Sequence, residues 1–197
     1  MNLILIAGMP ASGKSTLASK ISEAFHYPVL EKDELKEALF DSLGFENYAQ
    51  KRKLDTAANA VLMRALESML KSSTSVIAVN NFRSDMQKPL QDLLDKYDCR
   101  VVTVFLGGDP DVFFLRYNER DRLHLRHLGH VLQEHYPPHE GDSLDHEMTR
   151  SEFAEKFEKL GMGDLTLSGA RIDIDMTHPE LMDVSLLIEK IRKELEI

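Results

Sequence analysis

Asn2-Leu-Ile-Leu-Ile-Ala-Gly8-Met-Pro-Ala-Ser-Gly13-Lys14-Ser15-Thr16 reads as a short apolar strand, a glycine turn and the first turn of a helix. Its spacing is G-x-x-x-x-G-K-[ST], the phosphate-binding loop or P-loop pattern. By average residue usage, those four fixed positions co-occur by accident in roughly one chain of this length in a hundred. The context sharpens the reading. Residues 3–7 form a buried-strand run, and Leu17, Ile21, Ala24 and Phe25 recur afterwards at helical spacing. Gly8 and Gly13 allow positive φ and close approach of backbone N–H groups to a phosphate. Gly8, Met9, Pro10, Ala11, Ser12, Gly13, Lys14, Ser15 and Thr16 are therefore the candidate nucleotide-binding residues. The helix N-terminus behind them favours anions. Lys14 can reach the β- and γ-phosphates, and the Ser15 hydroxyl is placed to ligate Mg²⁺.

At 197 residues the chain is ample for one α/β domain and short for two. Its net charge is −9, from 24 basic and 33 acidic residues. That argues against nucleic acid or an anionic membrane surface as the main partner. Cys99 is the one cysteine, so neither a disulfide framework nor a cysteine zinc site is open to the chain. No run is long enough to span a membrane and no signal peptide is visible, so a reducing, cytoplasmic setting is expected.

The periodicity predicts strands at 2–7, 28–30, 76–79, 100–106 and 171–176. Between them lie helices over 14–25, from Asp33 to Gly44, to about Lys71, and from about Met86 to Tyr97. Asp33 reads as the N-cap of the second helix. In the long third helix, Leu54, Ala57, Ala58, Val61, Leu62, Ala65, Leu66 and Met69 make a continuous apolar stripe. The Lys51-Arg52-Lys53 run and Lys36 read as solvated helix charges. Asp109-Pro110 opens a further helix, Ser151–Leu160 is a short one stopped by Gly161, and Pro179 opens the last. Alternating strands and helices imply a parallel sheet covered on both faces, with ligands along the edge where the strands end. Residues 1–197 form a single domain with a lid-like insertion at about 116–150. That insertion is rich in histidine, proline and arginine. His124, His127 and His130 have a spacing zinc could use, but a polar lid accounts for them better.

The motifs Gly8–Thr16, Lys32-Asp-Glu-Leu-Lys36, Asn81-Phe82, Arg116-Tyr-Asn-Glu-Arg120 and Arg126-His-Leu-Gly-His130 together resemble P-loop kinases of the adenylate-kinase-like group. The likeness is greatest to the AAA-family ATP-binding kinases related to gluconate kinase, chloramphenicol phosphotransferase and the zeta toxins. The resemblance implies a three-layer P-loop NTPase fold with a five-stranded parallel sheet of order 2-3-1-4-5 and an arginine-bearing lid. It also implies ATP and Mg²⁺. At the third strand the chain departs from these relatives. Val79, followed by Asn80 and Asn81, stands where they often carry an acid that helps hold Mg²⁺.

On this reading the chain is an ATP-dependent kinase acting on a small-molecule hydroxyl or phosphate acceptor. Lys14 holds phosphates, and Asp33 orients or deprotonates the acceptor. Arg120 and Arg126 stabilise the transferring group, and Arg116 joins the nucleotide site. A nucleotide kinase proper, a non-catalytic nucleotide switch and a zeta-toxin-like kinase are the alternatives. No nucleic acid or membrane partner is expected, and the chain is read as a monomer or weak homodimer.

Overall fold

The structure is a computed structural model describing residues 1–142, 147–157, 161 and 165–197. Every residue of β1 (Asn2–Gly8) is buried, as an aliphatic run in the middle of a parallel sheet requires. β1 pairs in parallel with β3 (Val76–Val79) on one side and β4 (Arg100–Gly107) on the other. β2 (Val29–Glu31) flanks β3 and β5 (Ala170–Asp175) flanks β4, so the order is β2-β3-β1-β4-β5, as the resemblance implies.

The two faces of β1 define two cores. Ile4 and Ile6 pack with Leu17 and Ile21 of α1 (Lys14–Phe25), Phe113 and Tyr117 of α5 (Pro110–Arg122), Phe153 of α7 (Arg150–Phe157), and Leu187 of α8 (Val184–Leu195). Leu3 and Leu5 pack with Leu62, Leu66 and Leu70 of α3 (Tyr48–Lys71), with Phe82, and with Leu90 of α4 (Gln87–Lys96). Full burial of each such side chain contributes about 1.5–3 kcal/mol. β5 alternates half-buried with exposed residues and carries Arg171 paired to Asp173 at 2.9 Å. Charges of this kind discourage further pairing at an open sheet edge.

Several expected boundaries and faces shift. Glu31, in extended conformation, precedes α2 (Lys32–Leu43), so Asp33 lies inside its first turn rather than at the cap. A 3₁₀ turn at Ser84–Met86 precedes α4. Pro179 opens only a 3₁₀ turn; Asp183 caps α8, its side chain accepting from the Leu186 N–H at 3.0 Å. α7 ends its described part at Phe157, and residues 158–160 of the expected helix lie outside the described residues.

The buried row of α3 is Lys51, Ala58, Leu62, Leu66 and Leu70, and Val61 faces outward at 46% exposure. That row is apolar beneath the sheet and turns polar where the helix passes the sheet's carboxyl edge. Lys51 is 6% exposed, so it is not part of a solvated run.

The segment over residues 127–136 docks on the α2–α3 side. Phe45 and Tyr136 exchange backbone hydrogen bonds of 2.9 and 2.8 Å. α6 (Leu128–Val131) lays Gly129 against Phe40, the Lys51 ammonium donates to the His130 carbonyl at 2.9 Å and to that of Leu132, and the His130 ring meets Glu37 at 3.0 Å. A Cβ on Gly129 would lie 2.3 Å from the Phe40 ring, so only glycine fits. Gly129→Ala is therefore expected to destabilise the protein by about 1–3 kcal/mol through overpacking and to speed hydrogen exchange over residues 127–136. Unchanged stability and exchange would show that this contact does not hold the insertion.

Candidate active site

The P-loop leaves β1 through Gly8 at φ +143° and enters α1 through Gly13 at φ +88°. A Cβ on Gly8 would meet the Leu106 carbonyl oxygen at 2.4 Å, because β4 runs directly alongside. The Lys14 ammonium folds back over its own loop, donating to the carbonyls of Met9 at 2.8 Å and Gly8 at 3.3 Å. Burial pulls Lys14 down to about 8; Asp33 opposes this shift, and Arg120 adds to it. A cation so placed lacks a full counter-charge and is suited to receive phosphate oxygens.

The loop opens into a cleft of about 540 Å³ at the carboxyl edge of the sheet. Pro10, Ala11, Gly13, Lys14, Ser15 and Thr16 line one wall, and Asp33, Arg120 and Arg126 reach the same space. Gly8, Met9 and Ser12 shape the loop from behind. All four expected catalytic residues thus meet in one cavity, although they come from three separate parts of the chain.

Beside Val79 the neighbouring strand supplies an acid. Glu31 ends β2 directly beside Val79 in the pairing register, and its carboxylate accepts from the Ser15 hydroxyl at 2.5 Å. Burial raises the Glu31 carboxyl, with the Ser15 bond opposing. Asn80 is otherwise engaged, its amide donating to Asn59 Oδ1 at 3.1 Å and its Oδ1 accepting from the Asn81 N–H at 2.8 Å. The sequence carried a signal for Glu31, since it stands two residues before Asp33 at a strand end.

Asp33 lies 3.5 Å from the Lys32 ammonium. Burial alone would raise its carboxyl, but Lys32, His130, Arg126 and Lys36 outweigh this and hold it well below the usual carboxylate range. Lys36 is not a solvated charge. It pairs with Asp55 at 2.7 Å, has a side chain only 12% exposed, and shares that carboxylate with Lys32. Asp55 was not singled out in the sequence; it sits four residues after Lys51 on the same row of α3.

The four clustered arginines separate by function. Arg126 donates to the Tyr117 hydroxyl at 2.8 Å and lies 3.6 Å from Asp121, whose side chain is fully buried. Arg120 and Arg126 both lie over the Tyr117 ring, at 5.8 and 5.0 Å. Arg122 points outward, 3.9 Å from Glu119 with 74% of its side chain exposed. Arg116 stands apart from the cleft lining. Its guanidinium donates to the carbonyls of Met176 at 2.6 Å and Thr177 at 2.9 Å, clamping α5 to the end of β5.

Two of the three histidines with zinc-like spacing, His127 and His130, are each paired with a carboxylate. His127 meets Asp41 at 3.0 Å and His130 meets Glu37 at 3.0 Å, so they do not converge on a metal. Burial lowers His130 to about 4, with the Glu37 bond opposing. Among the described residues a metal-like grouping occurs only at His135, His139 and Asp142. There the two rings stack at 3.9 Å, and Asp142 accepts from the His139 backbone N–H and meets the His135 ring at 2.7 Å, which closes a turn.

The whole chain is similar to solved kinase structures. A protein from Chloroflexus aurantiacus, provisionally assigned as a kinase, is 26% identical with a TM-score of 0.82, the match covering 98% of each chain. A gluconokinase from Sinorhizobium meliloti is 16% identical at a TM-score of 0.53, over 99% of this chain and 91% of that one. A shikimate kinase from Aquifex aeolicus is 16% identical at 0.54, over 98% and 96%. At that identity the last two speak for the fold alone. Comparison with curated proteins finds no match. The match to AAA_33, described as an AAA domain, runs over residues 3–136 and so takes in the P-loop, α2, Arg120 and Arg126; this chain belongs to that family of P-loop kinases.

Proposed function

We propose that the protein is an ATP-dependent kinase that moves the γ-phosphoryl group onto a hydroxyl or phosphate of a small molecule. The observation that carries this reading is the meeting of Lys14, Asp33, Arg120 and Arg126 in one cleft beside the P-loop. The P-loop N–H groups and Lys14 cradle the phosphates. Arg120 and Arg126, held over Tyr117, supply guanidinium donors to the charge that spreads over the transferring group. Neither nucleic acid nor membrane enters this reading, and among the described residues no helix is long and apolar enough to cross a membrane.

Ser15 and Glu31 would hold Mg²⁺, since their hard oxygen donors meet at 2.5 Å beside the loop. Bound there, the ion would neutralise charge on the β- and γ-phosphates. Asp33 orients the acceptor hydroxyl by accepting its hydrogen bond. With its carboxyl held so low it is a weak base toward a resting hydroxyl. It therefore takes the proton only as the new P–O bond forms and the oxygen becomes acidic.

Lys14 sets the pH dependence of nucleotide affinity. Triphosphate binds the ammonium form, and that form prevails in the free protein below about pH 8. ATP affinity measured by calorimetry is thus expected to be level up to that pH and to fall by up to about tenfold per unit above it. Lys14→Ala is expected to lose both the affinity and this dependence while keeping its fold. A flat profile in the wild type would remove Lys14 from the binding step.

Asp33→Asn is expected to lower turnover by about 10²–10⁴ with ATP affinity unchanged. A fully active variant would leave Asp33 without a role in transfer. Glu31→Gln is expected to raise the Mg²⁺ concentration needed for half-maximal ATP binding, with metal-free binding unaltered. Equal Mg²⁺ titrations for the two proteins would place the ion elsewhere.

A further inference from the structure

The cleft is strongly basic in a chain of net charge −9. Nine lysines and arginines line it against four carboxylates. Part of that surplus answers the nucleotide, through Lys14, Arg120 and Arg126. Part is internal, since Lys32 and Lys36 share Asp55. Arg83 pairs with Asp85 at 2.7 Å and Lys156 stands on α7 over the Phe157 ring, which leaves Lys51 and Arg52, side by side on α3. Among the described residues neither has a carboxylate within ion-pair distance.

Lys51 is the more telling of the two. Its ammonium is buried, lies over the Phe45 ring at 5.5 Å, and among the described residues donates hydrogen bonds only to the His130 and Leu132 carbonyls. An ammonium has three donors, so one remains for the cleft that Lys51 lines. A buried cation without a counter-ion is costly. Burial, with Lys36, Lys156 and Arg126 adding to it, pulls Lys51 down to about 7. Arg52 is exposed and lines the same cleft, and Tyr48 and Gln133 add neutral polar groups there.

We infer that the phosphoryl acceptor is itself an oxyanion, a hydroxyl compound bearing a carboxylate or a phosphate, and that this group seats against Lys51 and Arg52. This rests on the kinase reading above. Carboxylate and phosphate share the chemistry the site recognises: compact, negatively charged oxygens that accept charge-assisted hydrogen bonds. A neutral polyol would leave the Lys51 ammonium and the Arg52 guanidinium unanswered beside the other cations of the cleft. Seating the anion on α3 directs the rest of the acceptor towards Asp33, which faces the same space. The inserted segment contributes backbone carbonyls that fix Lys51, so its docking and the subsite are formed together.

Calorimetry of the full chain tests this in two stages. Saturation with the non-hydrolysable analogue AMP-PNP and Mg²⁺ comes first and fills the nucleotide phosphate site; failure to bind the analogue overturns the kinase reading and the inference with it. Inorganic phosphate and acetate are then titrated separately into the saturated protein. The inference expects saturable binding of at least one of them, weakened about tenfold or more in Arg52→Gln and in Lys51→Met, with AMP-PNP affinity unchanged in both. Phosphate binding alone marks a phosphorylated acceptor, and acetate binding alone marks a carboxylate. Arg52→Gln changes an exposed side chain, so its result stands even if Lys51→Met loosens the insertion. If neither anion binds to the saturated protein, or if both variants bind them as the wild type does, the acceptor subsite is not anionic and the kinase reading stands without it.

Discussion

Everything in this molecule depends on β1 being dry on both faces. A strand of Leu, Ile and Ala with no polar side has to be covered above and below, so it takes the middle of the sheet and draws a helical layer to each side. Parallel neighbours then need crossover connections, and right-handed crossovers bring the ends of all the strands to one edge. The P-loop, Glu31 and the start of α2 arrive at that edge for this reason. The demand of an apolar strand for cover thereby places the polar chemistry.

At the edge, charge takes over from burial as the organising influence. Asp33 and Asp55 lie among Lys32, Lys36, Arg126 and Lys51, and each carboxylate is held ionised by cations that crowd one another. The surplus is tolerable while the cleft is open to water and becomes an attraction once oxyanions enter. Arg120 and Arg126 depend on the same balance, since both lie over the Tyr117 ring, the buried Asp121 stands 3.6 Å from Arg126, and both arginines line the cavity. Arg116 and Arg122, a few residues away on α5, show that clustering in sequence does not mean a shared task; helix geometry turns one to the end of β5 and the other to solvent.

Much of the fold was legible in the residues. The strand–glycine–helix motif and the alternation of apolar runs with amphipathic stretches determined a parallel α/β sheet with a phosphate loop at its edge. The strand order came from resemblance, because periodicity says which segments are strands and nothing about which are neighbours. Helix starts were read less well. Asp33 and Pro179 both carry start signals, but Asp33 is turned into the cleft and Pro179 opens only a short turn before Asp183.

Local sequence determined the P-loop completely, since its function resides in consecutive backbone groups and two adjacent side chains. It determined that Asp33 and the arginines were worth attention, because such residues after a strand or beside an insertion are chemically conspicuous. Only the tertiary structure decided that Glu31 stands beside Val79, that Lys51 is buried under the inserted segment, and that Arg116 is a clamp. Each of these depends on a contact between segments far apart in the chain: a strand register, a carbonyl from residues some eighty positions away, the end of β5. One-dimensional patterns record which face of an element is apolar. They carry no record of which distant polar group that element will meet, and charged side chains take their roles from that meeting.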